Sequence, residues 1–203
     1  DINISMASLF DKLESEAFRK GIAARSKEAN IWFEKKAKSL GPIPASKMLK
    51  DDRLKAKAKP LIGDMIMYTY NPKLRATLPY YDIFPLTILV GPAPGGFFGI
   101  NLHYLPPKVR AIFLDHLNDV ATNQKFDKTT RFRITYNILK SAAKYKYFRP
   151  CFKHYLSRHI NSKIMKVDAS EWNVAIFLET QTFRKKSTSF VWSQSRGQYG
   201  GGR

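Results

Sequence analysis

A basic and aromatic stretch between Arg131 and Arg158 holds the residues of this chain best suited to binding a polyanion. Eight Lys and Arg side chains alternate there with aromatic residues, and Asp127 is the only acidic residue between positions 120 and 167. Because Lys and Arg bind phosphate oxygens, this pattern indicates phosphate contact. The predicted DNA-binding residues are Arg131, Arg133, Lys140, Lys144, Lys146, Arg149, Lys153 and Arg158.

Helical geometry supports this prediction for the middle of the stretch. On a helix, Arg133, Lys140 and Lys144 fall within roughly 40° of one another. They lie about a quarter turn from an apolar stripe that includes Ile134 and Ile138, so one face can be buried while its neighbour meets phosphate. A solvated charged face is the alternative interpretation. No base-reading motif is visible, so binding is expected to be sequence-independent and steeply salt-dependent.

Positive charge is concentrated in one part of the chain. The 203 residues include 35 Lys and Arg against 16 Asp and Glu, a formal net charge of +19. Residues 106–167 carry 14 basic and 3 acidic side chains, whereas residues 61–105 carry 2 of each. Such clustered charge attracts nucleic acid or an acidic surface over a long range. Double-stranded DNA is therefore the predicted partner, and no small-molecule substrate is expected.

The histidines and the single cysteine do not form a metal-binding pattern. His154 and His159 are five residues apart, which does not place them on one helical face, and no second cysteine completes a ligand set. Cys151 is predicted to be a small buried apolar residue. We predict neither a metal site nor a cofactor.

Residue patterns typical of enzymes are also missing from the sequence. Asp64 and Asp82 are the only acidic residues of 61–105, and a two-metal nuclease commonly needs more carboxylates. The loop at 91–96 lacks the Gly-Lys-Ser/Thr ending of a phosphate-binding loop, and its prolines remove backbone donors. A non-enzymatic protein is predicted.

The elements that must position the basic residues predict an α+β fold. Residues 61–105 are rich in β-branched and aromatic side chains and are interrupted by turn-forming residues at 71–73 and 91–96. We expect a small antiparallel β meander or an SH3-like half-barrel at about 61–105, flanked by N-terminal and C-terminal helices.

Charge and pattern divide the chain into four regions. These are a basic helical region at 1–60, the antiparallel β scaffold at 61–105, a basic helical region at 106–180 and an extended basic, glycine-rich tail at 181–203. One compact domain plus the tail is expected.

Helix signals are clearest near the N-terminus. Ser8 and Ser26 are predicted N-caps of two helices, which end at Gly21 and before Gly41. The second helix is predicted to direct three apolar side chains inward: Ile31, Trp32 and Phe33.

The C-terminal half predicts helices and one short strand. Pro106-Pro107 suits a helix start, a further helix is predicted from about 127 to 144, and Asp168 is predicted to open another. Residues 163–167 predict a strand. No apolar run reaches the roughly 18 residues of a membrane helix, so no membrane partner is expected.

Three segments resemble a known family of phage proteins. They are Leu-Pro-Tyr-Tyr-Asp-Ile-Phe-Pro-Leu at 78–86, Gly-Gly-Phe-Phe-Gly-Ile-Asn-Leu-His-Tyr-Leu-Pro-Pro at 95–107, and residues 110–115. With these motifs the chain resembles the DNA end protector or head completion proteins of large contractile-tailed, T-even-like phages. The similarity runs from about Met6 to the Trp172 helix and includes residues 147–151.

The resemblance implies a virion protein made in the host cytoplasm and located in the head-neck region. It would bind the end of the packaged double-stranded DNA near the portal, shield it from the host's recombination exonuclease, and complete the head for tail joining. No catalytic residues carry over. We interpret five motif residues as core and turn residues rather than a binding site: Tyr80, Tyr81, Asn101, His103 and Tyr104. The alternative function is a neck, tail or baseplate subunit that binds acidic virion proteins rather than DNA.

Overall fold

The computed structural model describes residues 8–121, 125, 127, 137 and 149–199. Within this part of the chain there are six α-helices and eight β-strands. The helices are α1 (Leu9–Arg19), α2 (Lys27–Leu40), α3 (Ala45–Met48), α4 (Pro107–Ala121), α5 (Trp172–Ala175) and α6 (Thr188–Tyr199). The strands are β1 (Lys55–Ala56), β2 (Met65–Met67), β3 (Tyr81–Asp82), β4 (Leu86–Ala93), β5 (Gly96–Asn101), β6 (Phe152–Leu156), β7 (Met165–Val167) and β8 (Phe183–Arg184).

Six of these strands form one open antiparallel sheet in the order β1-β7-β2-β4-β5-β6. The remaining two, β3 and β8, pair with each other. Strands β2, β4 and β5 are neighbours and come from residues 61–105. The predicted α+β fold with an antiparallel β segment is therefore confirmed, and the sheet does not close into a barrel.

The sheet recruits strands from regions for which the sequence predicted helices. β1 comes from 1–60, whereas β6 comes from 106–180 and pairs with β5 along its whole length. The short strand predicted at 163–167 is present as β7. Strands β5 and β6 are roughly 50 residues apart in sequence. A hydrophobic repeat of 2 or 3.6 residues indicates a local strand or helix, so it does not reveal the pairing of two distant strands.

The stretch predicted as an extended tail, 181–203, contains β8 and the whole of α6 instead. Val191 of α6 is buried, and the indole Nε1 of Trp192 donates a hydrogen bond of 2.9 Å to the carbonyl oxygen of His103. Val191 and Trp192 therefore pack the helix against the rest of the protein. The Ser and Gly residues of this stretch do not indicate such packing in the sequence.

The first two helices begin as predicted. The Ser8 side chain accepts a hydrogen bond from the Phe10 amide, and the Ser26 side chain accepts one from the Ala29 amide. The inward placement of Ile31 is wrong, since its side chain is 57% exposed. Residues four apart share a helical face, and the face that packs inward carries Ala29, Phe33 and Ala37.

A close approach of strands explains two glycines of β5. A Cβ atom on Gly96 would lie 1.8 Å from the Tyr155 carbonyl oxygen, and one on Gly99 would lie 2.2 Å from the Thr87 side chain. Strand β5 ends at Asn101, because the Asn101 side chain accepts a hydrogen bond from the His103 amide and starts a 3-10 turn at Leu102–Tyr104.

Candidate nucleic-acid interface

The structure describes two of the eight predicted DNA-binding side chains. Lys153 lies on β6, and Arg158 lies in a 3-10 turn at Ser157–His159. Arg149 begins the 3-10 turn Arg149–Cys151, but its side chain is outside the described part. The other five lie outside the described residues: Arg131, Arg133, Lys140, Lys144 and Lys146. DNA contact by the eight residues stays a prediction.

Lys153 is a partly buried cation that stands over an aromatic ring. Its Nζ atom lies 4.2 Å from the centroid of the Tyr104 ring, within the range of a cation–π interaction. Burial lowers the pKa of the Lys153 ammonium, while the nearby Cys151 and Asp82 act in the opposite direction. Among the described residues, no carboxylate lies within ion-pair distance of this Nζ atom. Within that part of the chain, the Lys153 ammonium therefore makes no direct ion pair.

Lys153 lines a pocket of about 440 Å³. We call it the tyrosine pocket, and its lining includes Tyr70, Tyr80, Tyr81, Tyr104, Lys73, Lys153 and the buried carboxylate of Asp82. Tyr80 and Tyr81 are partly exposed. The Tyr80 and Tyr104 ring centroids lie 6.1 Å apart, with 35° between the ring planes. A concave site with aromatic walls and a few cations is typical of ligand-binding pockets.

Three chain segments meet at this pocket because of long-range backbone pairing. Tyr70 forms an isolated antiparallel bridge with Ile160, which joins segment 70–81 to the residues that follow β6 and its 3-10 turn. Tyr81 pairs with Arg184 between β3 and β8, which adds segment 183–190. Residues far apart in sequence therefore form one surface.

The same three segments carry positive charge and no acidic residue. Segments 70–81, 149–163 and 183–190 contain two, four and three Lys or Arg residues, respectively. None of their described Lys and Arg side chains forms an ion pair with a carboxylate. A cationic surface without its own counterions attracts phosphate groups.

Two of these cations are fixed against the pocket wall rather than paired with acids. The Lys185 Nζ atom donates hydrogen bonds to the carbonyl oxygens of Arg75 and Leu78, at 2.7 and 2.6 Å. Lys185 has a φ angle of 73°, a left-handed conformation that favours glycine, so this contact is made at some conformational cost. The Lys186 Nζ atom lies 4.7 Å from the Phe190 ring centroid, and the Phe190 ring in turn contacts Tyr80.

Behind the pocket lies a buried hydrogen-bond network centred on Asp82. The Asp82 Oδ2 atom lies 2.6 Å from His103 Nδ1 and accepts a hydrogen bond from Asn101 Nδ2, while His103 Nε2 lies 2.8 Å from Thr180 Oγ1. Asn101 Nδ2 also donates to the hydroxyl of Tyr155. The order of hydroxyl, imidazole and carboxylate resembles that of a nucleophilic triad, but the three side chains are almost fully shielded from solvent. The network joins β3, β5 and β6, so its role here is to brace the pocket.

The Asp82 and His103 pair keeps its charge on the carboxylate. Burial alone would raise the pKa of Asp82, but the charge and hydrogen bond of His103 outweigh it and leave the pKa below its ordinary value. Burial lowers the pKa of His103 despite the attraction of Asp82. The His103 imidazole and the Asp82 carboxylate, which are hydrogen-bonded to each other, therefore form the floor of the site.

Among the described residues, no three His, Cys, Asp or Glu side chains come together as a set of metal ligands. In the same part of the chain, no helix has both the length and the apolar character needed to span a membrane.

Sequence reasoning found only part of this site. Asn101 and His103 are structural residues, as interpreted, whereas Tyr80 and Tyr81 line the pocket and are partly exposed. Four cations around the pocket were missed: Lys73, Arg75, Lys185 and Lys186. The signal that would have found them is the lack of acidic residues in segments 70–81 and 183–190, each of which carries too few cations to stand out alone.

Comparisons with known proteins give one match. A search of curated proteins and a search of solved structures each returned none. A family model described as phage T4 terminal DNA protecting protein matches residues 3–198, nearly the whole chain. The resemblance seen in the sequence motifs is thereby confirmed, and the chain belongs to the family of phage T4 terminal DNA protecting proteins.

Proposed function

We propose that this protein binds the end of the packaged double-stranded phage DNA and protects it from exonuclease by covering it. The observation that carries the proposal is the convergence of three acid-free segments on one surface, where the described Lys and Arg side chains have no carboxylate partners. Membership of a terminal DNA protecting family supports the same function. Three of the eight residues predicted from the sequence belong to one of these segments: Arg149, Lys153 and Arg158.

Protection of this kind needs no bond to be made or broken. An exonuclease that begins at a free end must thread or grip that end, so a protein bound there blocks it by occupying the same space. Phosphate contacts supply most of the affinity and do not depend on sequence, which suits a genome end of any sequence. The proposed location is the head-neck region of the virion, next to the portal, where binding would also complete the head.

A filter-binding experiment tests DNA binding. Wild-type protein is titrated against linear and closed circular duplexes of equal length across a salt series. We expect affinity to fall steeply with salt for both, and linear DNA to resist a processive exonuclease when the protein is bound. Negligible affinity for both duplexes even at low salt would overturn the proposal.

A matched pair of triple variants locates the binding surface. The test variant replaces Lys73, Arg158 and Lys163 by Ala, and the control variant replaces Lys12, Lys35 and Lys47 by Ala. All six side chains are exposed, and both variants lose three positive charges. Only the test variant is expected to lose affinity, by about 10-fold or more at moderate salt, since it removes charges at the acid-free surface. An equal loss in both would show that net charge alone drives binding.

One observation favours the alternative, a structural subunit that binds other virion proteins. The Phe18 side chain on α1 is 83% exposed, and a groove of about 670 Å³ runs beside it between α1 and residues 170–174. Large exposed aromatic side chains beside a groove are typical of protein contacts. This surface is separate from the tyrosine pocket, so a neck, tail or baseplate partner could bind there whether or not DNA is bound.

A further inference from the structure

We infer that the tyrosine pocket binds a single unstacked nucleotide at the terminus of the DNA. This inference rests on the proposed function and adds to it the part of the DNA that is recognised. Phosphate contacts alone treat the end and the interior of a duplex alike, so they leave end recognition unexplained. A pocket for one nucleotide explains it.

The size of the pocket fits one nucleotide and excludes a duplex. At about 440 Å³ it lies within the range of small-ligand pockets, roughly 300–1,000 Å³. A base inside a duplex is stacked on both faces and paired, and removing it is unfavourable. The last base has one free face and frays, so it can enter a pocket at the lowest energetic cost.

The walls of the pocket match the faces of a base. Tyr80 and Tyr81 are adjacent, partly exposed and both line the pocket. The Tyr80 ring contacts the rings of Tyr104 and Phe190, with centroids 6.1 and 6.2 Å away. Base–aromatic stacking does not depend on which base is bound, as a protein that caps a genome requires.

The cations of the pocket match the phosphate of the same nucleotide. The Lys153 ammonium is partly buried and has no carboxylate partner in the described structure, and its position over the Tyr104 ring keeps it in the wall of the pocket. Lys73 lies on the same lining. A desolvated ammonium that lacks an anion gains strongly from a phosphate oxygen, because such charge-assisted hydrogen bonds are stronger than neutral ones.

A binding preference tests the inference. The measured quantity is the ratio of affinities for a blunt linear duplex and a relaxed closed circle of the same length. We expect wild-type protein to prefer the linear duplex by about 10-fold. Tyr80→Leu is expected to bring the ratio close to one, while Tyr80→Phe, which keeps the ring, retains the preference. The variant that replaces Lys12, Lys35 and Lys47 by Ala is also expected to retain it.

The outcomes separate this inference from the proposed function. If neither duplex is bound, the proposed function fails. If both are bound equally by wild-type protein, or if Tyr80→Leu keeps the full preference, DNA binding stands and the nucleotide pocket fails.

Photochemical crosslinking provides a second test that needs no variant. Wild-type protein is irradiated with duplexes that carry 5-iodouracil at the 5′ terminus, at the 3′ terminus or at an internal position. A terminal probe is expected to crosslink to a peptide containing Tyr80 and Tyr81, and the internal probe is not. The terminal probe that crosslinks identifies whether the 5′ end or the 3′ end of a strand enters the pocket. Crosslinks confined to other peptides, or equal yields from internal and terminal probes, would overturn the inference.

Discussion

The N-terminal region and the surface around the tyrosine pocket are both rich in cations, but only the N-terminal region also carries acidic residues that pair with some of them. Near the N-terminus, some cations pair with acids: Lys36 pairs with Glu16 at 2.9 Å, and Arg53 contacts Asp11, Glu14 and Glu171. Around the pocket, Lys153 and Lys186 lie over rings and Lys185 donates to backbone carbonyls.

This difference says more about function than the net charge does. A cation that already has a carboxylate partner gives up that pairing when it binds phosphate, whereas a cation on a ring or a carbonyl keeps its full charge. We therefore assign the paired cations of the N-terminal region to holding the fold and the unpaired cations around the pocket to binding. Measurements of folding stability test the role of the paired cations, and measurements of DNA binding test the role of the unpaired ones.

The largest expected effect is on the buried carboxylate behind the pocket. Asp82→Ala leaves the His103 ring, the Asn101 amide and two backbone amides without their acceptor. We expect the free energy of unfolding to fall by about 3–5 kcal/mol, measured by urea denaturation, because buried donors lose their partner. Asp52→Ala, at an exposed turn, should change it by no more than about 0.5 kcal/mol. Similar losses in both variants would show that the network does not brace the site.

The next effect comes from the close approach of β5 and β6. Gly96→Ala places a Cβ atom against the Tyr155 carbonyl oxygen, so the two strands must separate. We expect a loss of about 3 kcal/mol, at the upper end of the range for overpacking, together with weaker DNA binding, because β6 carries Lys153. Gly91→Ala is the matched control, since a Cβ atom added there would meet nothing within 4 Å and its φ angle is not positive. Thermal unfolding of both variants measures the difference.

In the N-terminal region, pH is expected to change the stability through Glu171. This side chain is buried, and burial together with the neighbouring Glu14 raises its pKa from 4.5 to about 7, against the attraction of Arg53. Because the folded state binds this proton more tightly than the unfolded state, stability falls as pH rises from about 4.5 through 7. The Glu171→Gln variant is not expected to lose stability in this way as the pH rises. Its free energy of unfolding relative to wild type should therefore increase between pH 5 and pH 8, by on the order of 2 kcal/mol. A difference that stays constant or decreases would contradict the assignment.

Local elements could be predicted from the sequence because their signals are local. Ser8 and Ser26 cap their helices by bonding amides two or three residues away, and Pro107 starts α4 as predicted. The β segment followed from the spacing of its turns and its β-branched residues. These features depend on a few neighbouring residues, so a single sequence contains them.

The site could be predicted only in part because it is assembled by distant pairings. Lys153 was predicted from the charge run, but its position over Tyr104 depends on the pairing of β5 with β6. The role of Lys185 depends on a contact with Leu78, more than a hundred residues earlier in the chain. Such contacts are set by tertiary packing, and a local pattern does not encode them.

The smallest expected effects compare one lysine from each region. Lys36→Ala removes a half-exposed ion pair with Glu16 and should lower the free energy of unfolding by about 0.5 kcal/mol, with no change in the salt dependence of DNA binding. Lys73→Ala should leave stability within about 0.5 kcal/mol of wild type, since its side chain is exposed. If Lys73 binds one phosphate, the slope of log affinity against log salt should become shallower by about 0.9. The opposite pattern, with a shallower slope for Lys36→Ala alone, would mean that paired cations exchange their acids for phosphates, and the division between the two regions would then be wrong.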